Sequence, residues 1–353
     1  MATDSGHARP ITIGVTLAIA AAIAFGVTTP IVAWAGRDLG PFSTAALLYA
    51  GAAIASLGAR AFTKSSQAPL RRSDLGRVLV VALIGGAIAP TLLAWGLQRS
   101  GATLGALLLN LEAVFTVLLA RAVYREPIGP RVAVAVLAMV LGGGALTLDA
   151  SQGTNWGLLG VLAVAAATAA WATDNTLTRP LAERDPLDVV TAKGGIGAAI
   201  TGAIAIAFGE PSPSVVPVIA LLACGATGYG LSLRLYLLAQ RRIGAGRTGS
   251  VFALAPFIGA GLAYAIGDRH PSSWTFAAVA LFVLGVYLHA TERHAHGHVH
   301  HVTDHDHVHS HDDGHHTHLH EPPIAGSHAH PHRHDRIEHD HEHAPDVHHD
   351  HSH

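Results

Sequence analysis

Ten long apolar blocks occupy most of residues 12–291, and they restrict the fold of this chain more than any other feature. Each block is roughly 20 residues long, the length that a helix needs to cross the ~30 Å hydrocarbon core of a bilayer. Continuous Ala, Leu, Val and Ile runs favour helices over the alternating strands of a membrane barrel. The sequence therefore predicts an all-α integral membrane body with spans at 12–35, 42–62, 76–98, 102–123, 130–149, 157–178, 187–208, 215–238, 246–267 and 273–291.

The composition leaves few charged residues to cover a soluble surface. Hydrophobic residues make up 50% of the chain and charged residues 13%, and soluble domains carry more charge than this. The sequence shows neither the basic footprint of a nucleic-acid-binding protein nor a phosphate loop, nucleophile motif or cofactor fingerprint. We therefore expect a lipid bilayer as partner, no nucleic acid, no required cofactor and no enzymatic activity.

Basic residues alternate between the two sides of the predicted bundle. The predicted loops are short, so counts of Lys and Arg indicate orientation. With a cytoplasmic N-terminus, one side carries sixteen Lys or Arg residues, and the other carries only Arg37, Arg99 and Arg269. This bias predicts that both termini lie in the cytoplasm.

The chain repeats itself at an offset of 143 residues. The run at 99–102 aligns with 242–245, and the run at 140–142 aligns with 283–285. Each half holds five spans, and an odd number gives the halves opposite orientations in the membrane, as in many secondary transporters. The predicted parts are a short cytoplasmic N-terminus, two five-helix repeats and a tail, at 1–11, 12–149, 150–292 and 293–353.

Three motifs resemble those of a known family. An aromatic-plus-polar stretch lies in the first helix of each half, and a Leu-Glu-x-x-Phe run leads to Glu-Pro at 126–127; the stretches are Phe25-Gly26-Val27-Thr28, Trp171-Ala172-Thr173-Asp174 and Leu111-Glu112-Ala113-Val114-Phe115. Residues 12–291 thus resemble the EamA type of the drug/metabolite transporter superfamily. The resemblance implies transport of a small molecule across the cell inner membrane, leaves the substrate open and does not extend to the tail.

Glu112 lies near the middle of the fourth predicted span. Ionisable residues inside spans face a bundle interior or water, because their charge is costly in lipid. Two interpretations remain open for Glu112: a protonatable group that couples proton flow to substrate movement, or a carboxylate that fixes helix packing. Asn110 lies about 200° away around the helix, so only one of the two residues need line a substrate pathway.

The sixth predicted span has one polar face. Trp171, Asp174, Asn175 and Thr178 follow the i, i+3, i+4, i+7 spacing of a single helix face, which favours a position along a central passage. Lys193 in the seventh span lies at a similar depth, so the sequence predicts an Asp174–Lys193 ion pair. This pair could form a gate at the cytoplasmic mouth or have a structural role.

The last sixty residues hold 24 of the 27 histidines, mostly as His-x-His or His-His. Imidazole binds Zn, Ni, Co and Cu, and the interspersed Asp and Glu add oxygen donors. We expect multisite, weakly selective metal binding that falls as the pH drops through about 6.5. The tail lacks the apolar residues of a core, which predicts disorder without metal. The candidate ligands are His294, His296, His298, His300, His301, His305, His307, His309, His311, His328, His330, His332, His334, His339, His341 and His343.

Three functions remain open on the sequence alone. The first is a secondary transporter of a small metabolite or drug-like solute, with a tail that senses or buffers metal. The second is a transporter of divalent Ni, Co or Zn, or of a metal chelate, whose tail collects the cargo. The third is a membrane-anchored metal store, for which ten spans far exceed the need. The direction of transport and the formation of a homodimer are left open.

Overall fold

A computed structural model describes residues 5–63, 68–125, 128–151, 155–181, 184–243, 245–268, 271–291, 295–300, 303–309, 328–334 and 337–342. Within these ranges, ten helical stretches are long and apolar enough to cross a membrane. The predicted all-α body of ten spans is therefore confirmed.

Five spans form each half of the body. The helices of the first half are α1 (Ser5–Gly26), α2 (Thr28–Ala35), α3 (Pro41–Phe62), α4 (Leu75–Val81), α5 (Ala89–Ser100), α6 (Ala102–Leu108), α7 (Leu111–Tyr124) and α8 (Pro130–Ser151). Those of the second half are α9 (Asn155–Thr178), α10 (Pro186–Ala207), α11 (Val215–Cys224), α12 (Ser232–Ile243), α13 (Ala245–Phe252), α14 (Ala255–Ala265) and α15 (Ser273–Ala290).

Three spans that the sequence predicts as continuous are broken, and each break has a local cause. A proline ring clashes with the carbonyl four residues earlier: α1 ends at Gly26, four residues before Pro30, and α13 ends at Phe252, four residues before Pro256. The fourth span breaks at Asn110, whose side-chain amide donates to the Leu107 carbonyl at 2.9 Å. Such local bonds compete with the helix ladder.

Two spans widen into π-helix at equivalent places. The π-helical segments are Ala82–Ile88 in the third span and Gly225–Leu231 in the eighth. They begin and end 143 residues apart, the same offset as the sequence repeat. The two halves therefore share their irregular backbone as well as their span number.

The packing of the helices pairs one half with the other. Helix α1 packs on α12, and α5 packs on α9, while α3 packs on α10 and α8 on α15. If each helix is replaced by its counterpart in the other half, the α1–α12 contact becomes the α5–α9 contact. The α3–α10 and α8–α15 contacts stay the same. Where α10 meets the π-helical segment of the third span, a Cβ added to Gly197 would lie 2.5 Å from the Gly86 carbonyl oxygen, so glycine permits this approach.

The membrane body has two sides, which are distinguished by the end of its last helix. The tail face is the side on which α15 ends at Ala290, and the opposite face is the other side. On the tail face, Arg60 contacts Asp185 at 2.6 Å and Arg184 contacts Asp74 at 2.8 Å. Both ion pairs join the first half to the second.

On the opposite face, two carboxylates of the second half cap helices of the first half. Glu210 accepts hydrogen bonds from the backbone N–H groups of Phe42, at 3.1 Å, and Ser43, at 2.7 Å. Asp268 accepts from the backbone N–H of Thr103 at 2.7 Å. These bonds satisfy amide groups that the first turn of a helix leaves without an internal partner.

The tail differs from the expected disorder in four described segments. Strand β1 (Ala295–His300) pairs antiparallel with β4 (Ile337–Glu342), and β2 (Thr303–His309) pairs antiparallel with β3 (His328–His334). The physical reason lies in the His-x-His pattern, because its period of two matches the alternation of a β-strand.

Candidate functional site

In the third span, the peptide oxygen of Gly85 lacks a hydrogen-bond donor within its own helix. In the π-helical segment the Ala89 amide bonds the Ile84 carbonyl, five residues earlier. The partner of Gly85 in this pattern is Pro90, which has no N–H. The Gly85 oxygen instead accepts from the Tyr49 hydroxyl and from Trp171 Nε1, the latter at 3.2 Å.

An ion pair lies directly beside Gly85. Lys193 Nζ contacts the Asp174 carboxylate, which is 1% exposed, and Thr178 donates a hydrogen bond to the same carboxylate at 3.3 Å. The Asp174 carboxylate fills the space beside Gly85, because a Cβ there would lie 2.2 Å from Asp174 Cγ. The predicted Asp174–Lys193 pair is confirmed.

Glu112 and Asn175 make the second polar contact of the centre. Glu112 lies in the first turn of α7, immediately after the break in the fourth span. Asn175 Nδ2 donates to Glu112 Oε1 at 2.7 Å, and Asn175 is exposed. Asp174 therefore pairs with a cation, whereas this bond joins Glu112 to a neutral amide. Together these groups form the central cluster, namely Tyr49, Gly85, Glu112, Trp171, Asp174, Asn175 and Lys193.

Aromatic rings surround one side of the central cluster. Tyr229, in the π-helical segment of the eighth span, has its ring centroid 5.5 Å from Tyr49, 5.7 Å from Phe25 and 6.3 Å from Trp171. Its buried hydroxyl has no hydrogen-bond partner among the described residues. A buried polar group of this kind is costly unless it finds a partner, so a substrate atom or a water molecule would be stabilised there.

Five of the six predicted pathway residues belong to the central cluster, and Asn110 does not. Asn110 is 5% exposed, and its side-chain amide donates within its own helix. Sequence reasoning missed Tyr49, Gly85 and Tyr229. The one signal for Gly85 was the Gly-Gly pair at 85–86 followed by Pro90, which indicated bending but not a free carbonyl.

The fourth and ninth spans diverge towards the tail face. Their opposite-face parts, α6 and α14, pack against each other. Beyond the breaks, α7 packs against α8 and α9, whereas α13 packs against α1, α12 and α15. Because Glu112 lies just past the break on α7, the central cluster lies next to this divergence.

A separate groove of about 590 Å³ lies between α8 and α15. Leu141, Leu148, Trp274 and Leu281 contribute to its lining, which is mostly apolar. Such a groove suits lipid chains and lies apart from the central cluster. The described side chains of the membrane body contain no group of three or more His, Cys, Asp or Glu able to hold a metal ion.

Three similarities to known proteins concern the family and the fold of the chain. The sequence profile of the EamA-like transporter family matches residues 12–147 and 158–291. A protein of Methanothermobacter thermautotrophicus described as "Uncharacterized transporter" is 28% identical over 206 residues, which cover 57% of this chain and 60% of that relative. A solved structure described as "Crystal structure of protein" superposes with a TM-score of 0.58 at 20% identity, over 79% of this chain and 95% of the other. This last similarity concerns the fold.

Proposed function

The chain belongs to the EamA-like transporter family, and we propose that it moves a small organic metabolite or drug-like solute by alternating access. It is a membrane transporter of small solutes. The excess of Lys and Arg that the sequence assigns to the side carrying the tail supports, by the positive-inside rule, a cell inner membrane with the tail in the cytoplasm.

The single observation that carries the proposal is the central cluster between the two repeats. Substrate sites of inverted-repeat transporters lie near mid-membrane where the repeats meet. In this chain Tyr49, Gly85 and Glu112 come from the first half, and Trp171, Asp174, Asn175 and Lys193 come from the second. A solute bound there would contact both halves and would respond to movement between them.

The unequal packing of the fourth and ninth spans supports a gate. The opposite-face helices α6 and α14 are in contact, and the Asp268 cap joins α6 to the chain just after α14. On the tail face, α7 and α13 pack on different neighbours. This arrangement supports a state that is closed on the opposite face and open towards the tail face.

Glu112 is the proposed proton-coupling group. The Asp174 charge is balanced by Lys193, while Glu112 has a neutral amide as its partner. Gain or loss of a proton at Glu112 therefore changes the net charge of the site, and intramembrane carboxylates serve as proton relays in transporters for this reason.

The test is uptake by the purified full chain in lipid vesicles with an imposed proton gradient and a panel of metabolites and drug-like solutes. We expect Glu112→Gln to lose gradient-driven accumulation while solute exchange persists, because the amide cannot release a proton. Asp149→Asn is the matched control, since Asp149 accepts a hydrogen bond from Thr275 away from the cluster. Gradient-driven accumulation by Glu112→Gln equal to that of the unsubstituted protein would overturn the coupling role.

Metal cargo is the alternative outcome of the same experiment. Transport of Ni, Co or Zn without transport of any organic solute would favour it. We further propose that the tail binds Zn, Ni, Co or Cu whichever solute the body moves. The 24 histidines support this property through their chemistry.

A further inference from the structure

The paired strands of the tail place histidines opposite histidines. In the β2–β3 pair, His305 faces His332, His307 faces His330 and His309 faces His328. These positions alternate along each strand, so all six belong to one face of the ribbon. The β1–β4 pair adds two more opposed pairs, His296 with His341 and His298 with His339.

The opposition of histidines to histidines depends on the register of the paired strands. A slip of one residue would set the histidines of β2 opposite Arg333, Pro331 or Ala329 instead, since the side-chain period of a strand is two. In the observed register Asp304 faces Arg333. Opposite charges directly across an antiparallel pair stabilise it, so this pair favours the register that opposes the histidines.

We propose that the β2–β3 ribbon is a defined site for one divalent d-block ion, formed by two neighbouring histidine pairs. Directly opposed residues have Cβ atoms about 4.5–5.5 Å apart, and the next pair on the face lies about 7 Å along the strand. Zinc–nitrogen bonds are about 2.0–2.1 Å long, and four histidine positions at this spacing match the size of a site for one ion. Four nitrogen ligands suit tetrahedral Zn²⁺ or square-planar Cu²⁺ and Ni²⁺.

Metal binding and strand pairing are coupled in this site. A two-stranded ribbon alone is marginally stable in water, and a bound metal supplies folding free energy to ligands that it brings together. A bound ion would therefore stabilise the strand pairing. The inference rests on the metal-binding role proposed for the tail and not on the transport mechanism, so its tests measure metal binding alone.

The first test compares two variants that lose the same number of histidines. Both carry His296→Ala and His298→Ala, which remove the opposed pairs of the β1–β4 ribbon. The ladder variant also replaces His305, His307, His330 and His332 with Ala; the matched control also replaces His311, His316, His318 and His320 with Ala. With Zn²⁺ and the full chain in detergent, competition against a chelating dye should show the tightest site weakened by roughly tenfold or more in the ladder variant. The control should retain this site. Equal losses in both variants would overturn the proposal, because an unstructured chelator treats all its histidines alike.

The second test addresses the register itself. A double-substitution cycle of His307→Ala with His330→Ala should show coupling in Zn²⁺ affinity, whereas His307→Ala with His316→Ala should be additive. The nitrogen hyperfine pattern of Cu²⁺ bound at one ion per chain should report four nitrogens. A hyperfine pattern from two nitrogens, or equal coupling energies in both cycles, would contradict a site formed by two opposed histidine pairs.

Discussion

The first and second halves of the membrane body bend at equivalent places and carry different side chains there. Gly85 and Gly228 occupy the same position in the two π-helical segments. A Cβ at Gly85 would meet the Asp174 carboxylate, and a Cβ at Gly228 would meet the methyl group of Thr28. Asp174 and Thr28 are themselves equivalent in the two aromatic-plus-polar stretches. The same contact thus carries a charge in one half and none in the other.

Other equivalent positions differ in the same way. At the offset of 143, Glu112 corresponds to Ala255 and Pro90 to Leu233, which keeps its N–H. Lys193 corresponds to Leu48 at the offset of 145 that relates α10 to α3. The geometry of alternating access needs two similar halves, because each must be able to take the role of the other. The chemistry is needed once, because a single solute binds. The differences between the halves therefore identify the substrate site better than their similarities do.

The largest effect on stability is expected from the Asp174–Lys193 ion pair, which has no charged equivalent in the other half. Asp174→Asn or Lys193→Met alone should lower the free energy of unfolding by about 3–5 kcal/mol, since each leaves a buried charge unpaired. Unfolding in mild detergent measures this change. The double variant should be less destabilised than the sum of the two single variants.

Thr28→Val is the matched change in the other half. The Thr28 hydroxyl donates to the Phe25 carbonyl of its own helix at 2.6 Å, so its loss should cost about 1 kcal/mol. Equal losses of stability in Thr28→Val and Asp174→Asn would contradict the asymmetry.

The next largest effect is expected from substitution of the two equivalent glycines. Gly85→Ala places a Cβ 2.2 Å from Asp174 Cγ, and Gly228→Ala places one 1.9 Å from Thr28 Cγ2. Overpacking of this kind costs about 1–3 kcal/mol in either half. Vesicle transport should separate the variants, because only Gly85→Ala displaces Asp174 from Lys193. A greater loss of transport in Gly228→Ala would show that the second π-helical segment holds the substrate.

A smaller effect is expected at the caps on the opposite face. Asp268→Ala should cost about 0.5–2 kcal/mol, as the loss of a helix cap does, and should loosen the contact of α6 with α14. A cysteine at Ala106, introduced with Cys224→Ser, would report this as faster labelling from the opposite face, since Ala106 is fully buried. Asp149→Ala is the control, and a similar increase there would show that the loosening is general.

The smallest effect is expected at Asn110, whose counterpart at the offset of 143 is Ala253. Asn110→Ala makes the halves alike at this position and removes one bond within a helix, so the free energy of unfolding should fall by about 1 kcal/mol or less. Vesicle transport should be unchanged. Loss of transport would show that Asn110 does line the substrate pathway.

The sequence predicted the spans and the buried ion pair because both depend on side-chain type. Apolar length gives the ten helices, and the depths of Asp174 and Lys193 in neighbouring spans bring their charges together. Tyr49 and Gly85 were not predicted, because a free carbonyl depends on the local hydrogen-bond ladder and not on residue type. Tyr229 was not predicted either, since its position beside Trp171 depends on how the eighth span packs.

The doubly bonded oxygen of Gly85 has a mechanical consequence. Hydrogen-bond donors from the second and sixth spans both bind this one atom of the third span. Rotation of the third span by even one residue would therefore break both hydrogen bonds at once. The second, third and sixth spans should thus remain a rigid unit during each transport cycle. The movement would then occur in the fourth and ninth spans, whose helices are broken.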